Sequence, residues 1–136
     1  MMRMAALMAL SLLSITVPVK AQDIDVDCDN ASSNVEMTHC GWQEFERADE
    51  TLNAIYKEAI SHIRATGSDL PAGAEEWEEK LRETQRAWIA FRDLNCDEMI
   101  RIEWGGGTGT SLATATCRTE MTKSRITTLR ERYVDR

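Results

Sequence analysis

The sequence predicts an all-α domain: a long antiparallel helical hairpin, a third C-terminal helix laid against it, and two disulfide staples. Three observations carry this. Apolar residues recur at three- and four-residue steps through three separate stretches, while no segment alternates as a strand would. Turn-forming residues concentrate in only two places, around Gly67 to Gly73 and around Gly105 to Gly109. Four cysteines in a chain of 136 residues are the count expected of two bridges in an oxidising compartment.

The N-terminus predicts export. Met1-Met2-Arg3 is a short basic start, and Met4 to Val17 is almost wholly apolar. Val19-Lys20-Ala21 then places small residues at −3 and −1 of a cleavage site. The apolar run is shorter than the roughly 18 to 20 residues of a membrane span, so residues 1–21 read as a removable signal peptide and residues 22–136 as one helical domain. No lipobox precedes Cys28. Cleavage removes Arg3 and Lys20 and no acid, leaving 14 basic residues against 23 acidic and a charge of −9. Such a balance argues against nucleic acid as a partner.

Residues 23–32 are acidic and unpatterned, an extended arm tethered by Cys28. Ser33-Asn34-Val35-Glu36 has the form of a capping box. The helix it starts reaches about Ala65, with Phe45, Ala48, Leu52, Ile55, Tyr56, Ala59 and Ile63 on one face and Gly67 as its stop. At 1.5 Å per residue it is about 50 Å long. Asp49, Asn53 and Tyr56 form a polar line beside that face.

After the turn at Thr66 to Ala74, a second helix is expected from about Glu75 to Glu103. Trp77, Leu81, Thr84, Trp88, Phe91, Asn95, Met99 and Ile102 follow a near-heptad rhythm along it. Its middle carries a second pattern: Gln85, Trp88, Arg92 and Cys96 fall at i, i+3, i+7 and i+11, on one face. An arginine in line with a core tryptophan needs a carboxylate, and Asp49 is the expected partner. Asp49, Asn53, Tyr56, Gln85, Trp88 and Arg92 therefore form the expected polar core. The glutamates at 75, 76, 78 and 79 suit the start of the helix dipole and a solvated face.

Trp104 and Gly105-Gly106-Gly107-Thr108-Gly109-Thr110-Ser111 break the helix. With no preceding strand and no lysine the stretch is not a phosphate loop; it is a connector that brings Cys117 back to Cys96, or an exposed recognition loop. Ser111 or Thr114 is expected to cap a third helix reaching Tyr133, with Leu112, Met121, Arg125, Ile126 and Leu129 covering the hairpin. The basic residues Lys123, Arg125, Arg130, Arg132 and Arg136 gather at its C-terminal end.

Three cysteine connectivities are open. Cys28 with Cys40 and Cys96 with Cys117 are favoured, because each closes a short loop beside a helix end, for about 3 kcal/mol apiece. A zinc site is disfavoured by the lack of a C-x-x-C pair. His39 and His62 stand alone, without a nucleophile or orienting group at motif spacing, so the residues do not describe an enzyme, and no cofactor is implied.

Cys28, Cys40-x4-Phe45, Ala48-Asp49-x2-Leu52-Asn53-x2-Tyr56, Gln85-Arg86-Ala87-Trp88-x3-Arg92-x3-Cys96, the glycine loop, Cys117 and Arg125-x3-Leu129 together resemble the secreted four-cysteine domain of the LprI-type lysozyme inhibitors. The resemblance spans nearly all of residues 22–136. It implies a periplasmic or secreted protein without a cofactor that binds a cationic lysozyme and blocks its cleft, the acidic charge steering the encounter. The matching residues are scaffold, so no inhibitory residue follows from them; the 105–111 loop and the 66–74 turn are the protruding elements. The alternative is a non-catalytic envelope adaptor for another protein.

Overall fold

The computed structural model describes residues 26–135; the signal-peptide expectation for residues 1–21 lies outside them. Among the described residues there are three helices and no strand, and no helix is long and apolar enough to cross a membrane. Both bridges form in sequential order, Cys28–Cys40 and Cys96–Cys117.

Helix α1 spans Asn34–Thr66. Its capping box is complete: Glu36 N–H donates to Ser33 Oγ at 3.2 Å, and Ser33 N–H donates to Glu36 Oε2 at 2.9 Å. The short arm before it folds on Asp27, whose carboxylate accepts from Asp29 N–H and Asn30 Nδ2. Gly67 ends the helix, but with φ −74° rather than in a left-handed cap. Its lack of a side chain serves a different end, because a Cβ there would lie 2.7 Å from Ala74 Cα. The turn that makes the hairpin brings the two backbones that close.

Helix α2 begins at Gly73, two residues before the expected Glu75, and is regular to Leu94. It continues through a π-helical turn, Asn95–Met99, into a last α-turn, Ile100–Glu103. Gly105 (φ 63°) closes it in a Schellman arrangement, with Gly106 N–H on Arg101 O at 3.1 Å and Gly105 N–H on Ile102 O at 3.2 Å. Helix α3 spans Thr110–Leu129 and ends in a second π turn, Arg130–Val134. Neither Ser111 nor Thr114 caps it. Ser111 Oγ instead accepts from Trp42 Nε1 at 3.0 Å, and the buried Thr114 donates to Cys96 O at 3.2 Å. Both hydroxyls tie α3 to its neighbours.

Helix α1 packs chiefly along α3. The two run parallel: Trp42 meets Ser111 near one end, while Ile63, Leu129 and Tyr133 share the core near the other. That core draws Leu52, Ile55, Ala59, Ile60 and Ile63 from α1, Leu81 from α2, and Leu129 and Tyr133 from the C-terminal segment, with Trp77 and Trp88 at its margin. At about 25 cal/mol per Å² of apolar area this half holds the bundle by ordinary burial. The other half is built differently.

The near-heptad rhythm expected of α2 does not describe its buried face. Thr84 is exposed, as are Phe91 (59%), Met99 (48%) and Ile102 (63%). The residues turned inward are Leu81, Gln85, Arg92 and Cys96. From Trp88 both a three-residue and a four-residue step are helical, and the four-residue step prevails because the guanidinium of Arg92 finds partners on all sides. The π turn then adds a residue to the repeat and turns Met99 and Ile102 further outward.

Candidate functional site

Each helix contributes groups spaced over two turns to a seam that runs from the cysteine end into the middle of the bundle: Trp42, Phe45 and Asp49 from α1; Gln85, Trp88 and Arg92 from α2; Arg118, Thr122 and Arg125 from α3. Such spacings put each trio on one helix face. Where the three faces meet, planar cations alternate with aromatic rings. The Arg118 guanidinium carbon lies 5.7 Å from the Trp42 ring and 5.4 Å from Phe45; Arg92 lies 5.1 Å from Phe45 and 5.2 Å from Trp88; Arg125 lies 5.7 Å from Trp88. The stack thus reads Trp42, Arg118, Phe45, Arg92, Trp88, Arg125. Cation–π attraction suits arginine here, since its flat, weakly hydrated head is cheaper to bury than an ammonium.

Burying Arg92 and Arg118 requires counter-charge, and it comes from three aspartates along the rim. Arg92, only 5% exposed, donates from Nη1 to Asp49 Oδ1 at 2.8 Å and from Nε to Asp93 Oδ1 at 2.8 Å, with Thr122 Oγ1 3.2 Å away. Arg118 grips Asp97 with two bonds, Nε to Oδ1 at 2.9 Å and Nη2 to Oδ2 at 2.6 Å. That bidentate bond, followed by the field of Asp93, raises the Arg118 pKa above its ordinary value. Asp49, Asp93 and Asp97 keep 37%, 35% and 41% of their side chains exposed, so a row of carboxylates fixed from behind faces water.

The other expected polar-core residues take different places. Asn53 is exposed rather than buried, and its Nδ2 donates to Asp49 Oδ2 at 3.3 Å, bracing the carboxylate from one turn away. Tyr56 packs against the apolar core. Gln85 is buried and its Oε1 accepts from Arg125 Nε at 3.0 Å. Trp42, Asp93, Asp97 and Arg118 were not among the expected site residues. A signal existed: Asp93 and Asp97 flank Cys96, Arg118 follows Cys117, and the bridge between those cysteines sets the charges side by side.

The glycine loop adjoins this end. Trp104 is 56% exposed, and its ring lies over Gly109, where an added Cβ would sit 3.0 Å from Trp104 Cζ3. Gly105 and Gly106 have φ of 63° and 67°, which side chains resist. Gly107 N–H and Thr110 N–H donate to Trp104 O and Gly107 O, so the loop is internally hydrogen-bonded. Of its hydroxyls, Ser111 is engaged by Trp42 and Thr110 Oγ1 is buried without a partner among the described residues, leaving Thr108 open to solvent. Behind Trp104 an apolar cleft of about 500 Å³ runs past Ile100, Leu112, Ala113 and Cys117.

Chemically, this end offers fixed carboxylate oxygens and exposed apolar surface. His39 Nε2 is 2.9 Å from Gln43 Nε2, and the His62 ring meets Trp77 edge-on. Among the described residues no group of three or more His, Cys, Asp or Glu side chains is placed to hold a metal ion.

The family model described as lysozyme inhibitor LprI matches residues 28–129. An uncharacterized protein of Rhizobium meliloti (strain 1021) is 35% identical over 136 aligned residues, which cover 96% of this chain and 95% of that protein. No solved structure matches.

Proposed function

The chain belongs to the lysozyme inhibitor LprI family, and from that premise we propose that it is a non-catalytic, exported protein that binds a cationic lysozyme through its disulfide-bearing end. Residues 1–21 act as the removable export signal, in keeping with two bridges that persist only in an oxidising compartment. The observation that carries the reading is the exposed Trp104 on its closed glycine loop, at the same disulfide-bearing end of the bundle as the carboxylate row. An aromatic anchor with fixed geometry loses little entropy on insertion into a cleft. Asp49, Asp93 and Asp97 supply acceptors for the basic rim of a lysozyme, and their charge speeds the encounter. Thr108 and the loop amides, rather than Thr110 or Ser111, donate to acids inside the cleft.

A second reading, an adaptor for another envelope protein, is favoured by the exposed Phe91 and Leu94, which lie on α2 before the glycine loop. A lysis assay with purified, disulfide-intact protein against several lysozyme classes, at low and moderate salt, separates the two. Inhibition of at least one class, weakened by salt and weakened about tenfold or more by Trp104→Ala, supports the inhibitor. Absence of both inhibition and complex formation with every class supports the adaptor.

A further inference from the structure

Toward the end of the bundle away from the glycine loop, a partly open cavity of about 130 Å³ lies between the first half of α2 and the end of α3. Lys80, Arg125 and Arg132 all line it, in a protein that is acidic overall. Lys80 is held by Glu83 at 2.9 Å. Among the described residues, neither Arg125 nor Arg132 has a carboxylate within 4.0 Å, the distance that defines the ion pairs elsewhere in the fold. Among the described residues, Arg125 Nη2 is buried with no hydrogen-bond partner, although Nε of the same guanidinium is satisfied by Gln85. A buried guanidinium nitrogen without an acceptor is costly and is normally filled. Burial lowers the Arg125 pKa, with Tyr133 working against the shift and the nearby Arg132 charge adding to it.

The remaining lining narrows the ligand. Thr84 and Thr128 donate their hydroxyl protons to the carbonyls of Lys80 and Ser124 at 2.7 and 3.0 Å, so each presents lone pairs and not a proton to a guest. They accept from hydroxyls and cannot donate to an anion. Trp77 and Tyr133, with ring centroids 6.0 Å apart, add flat apolar surface. Cations, hydroxyl acceptors and aromatic faces around a space of a few water volumes fit a ring that carries both a carboxylate and hydroxyls. We propose that this cavity binds an acidic monosaccharide, its carboxylate on Arg125 and Arg132, its hydroxyls on Thr84 and Thr128, and one ring face against Trp77 or Tyr133.

The test is a titration of the full, disulfide-bonded chain, followed by the NMR signals of the Trp77 indole and the Arg125 Nε–H. Sodium glucuronate, glucose and inorganic phosphate are compared at constant ionic strength. The expected result is a saturable shift with glucuronate, none with glucose, and weaker binding of phosphate, which has fewer hydroxyls to offer. Arg132→Gln, at an exposed position, weakens glucuronate roughly tenfold, as loss of one charge-assisted bond should. Thr128→Ala supplies a second variant that preserves all the charges and also weakens it. The assignment is overturned by an absence of saturable shifts with glucuronate, by glucose shifting the same signals, by phosphate binding as tightly as glucuronate, or by unchanged affinity in both variants.

Discussion

Arg92 Nη1 lies 2.8 Å from Asp49 Oδ1 while the same guanidinium is sandwiched between Phe45 and Trp88. One planar cation therefore joins α2 to both a carboxylate and a ring of α1. Replacing Arg92 by Met removes the charge that Asp49 and Asp93 lean on, and the loss should approach the roughly 3 kcal/mol of a broken buried pair, moderated because both acids keep contact with water. Arg92→Lys keeps charge but not the two-sided stacking or the fork, and should cost less, about 1 to 2 kcal/mol. Urea unfolding of the two variants beside the parent measures both; equal stability of all three would mean that the stack contributes nothing.

The two bridges should contribute unequally. Cys96 is fully buried, whereas Cys28 lies in an exposed arm. Their loops span 21 and 12 residues, which alone favours the longer by only about 0.5 kcal/mol. Cys96→Ala with Cys117→Ala also empties a packed site beside Thr114 and Met121, and should cost about 4 kcal/mol or more against about 3 for the other pair. Chemical denaturation of the two double variants gives the order.

Gly67→Ala tests the hairpin turn. The added methyl carbon would fall 2.7 Å from Ala74 Cα and 2.9 Å from Ala74 Cβ, against backbone that cannot swing aside as a side chain would. A loss of about 1 to 3 kcal/mol is expected, although alanine is the better helix former. A gain in melting temperature would show that the turn relaxes without cost.

Glu78 sets an acid limit. Bonds from Arg64 (2.6 and 2.8 Å) and Arg82 (2.6 and 3.0 Å) bring its pKa down from 4.5 to about 2. A folded-state pKa below the unfolded one means that the charged form stabilises the fold. That contribution is complete above the unfolded value and is lost as the pH falls through about 2. Glu78→Gln should therefore be less stable than the parent near neutrality, with the gap closing from about pH 4.5 downward. A gap independent of pH would show that the clamp works by shape and not by charge.

Much of this architecture was legible because the signals were local. The capping box at Ser33 and Glu36, the glycines that end α2, and cysteines placed beside helix ends each specify their own neighbourhood. Asp49 could be set opposite Arg92 because each borders an apolar stripe. What escaped was whatever depended on choices between neighbouring helical steps. Phe91 and Arg92 both follow Trp88 acceptably, and only the aromatic and acidic partners on two other helices decide that the arginine goes in. The π turn at Asn95–Met99 has no compositional mark, so the outward swing of Met99 and Ile102 was hidden. Ser111 and Thr114 look like caps in sequence, yet the proximity of Trp42 and Cys96 gives their oxygens other work.

Because α1 and α3 run in the same direction, both sulfur bridges fall at one extremity of the bundle, and the opposite extremity is held with no sulfur bridge, by its oily core and the Glu78 clamp. The molecule resembles rods gripped in a ferrule. Warming should splay the ungripped tips first, loosening the amides around Ile63, Leu81 and Leu129 while those around Cys96 and Ala115 still resist exchange. A reductant would then abolish that polarity, so the same heating in its presence should release both extremities together.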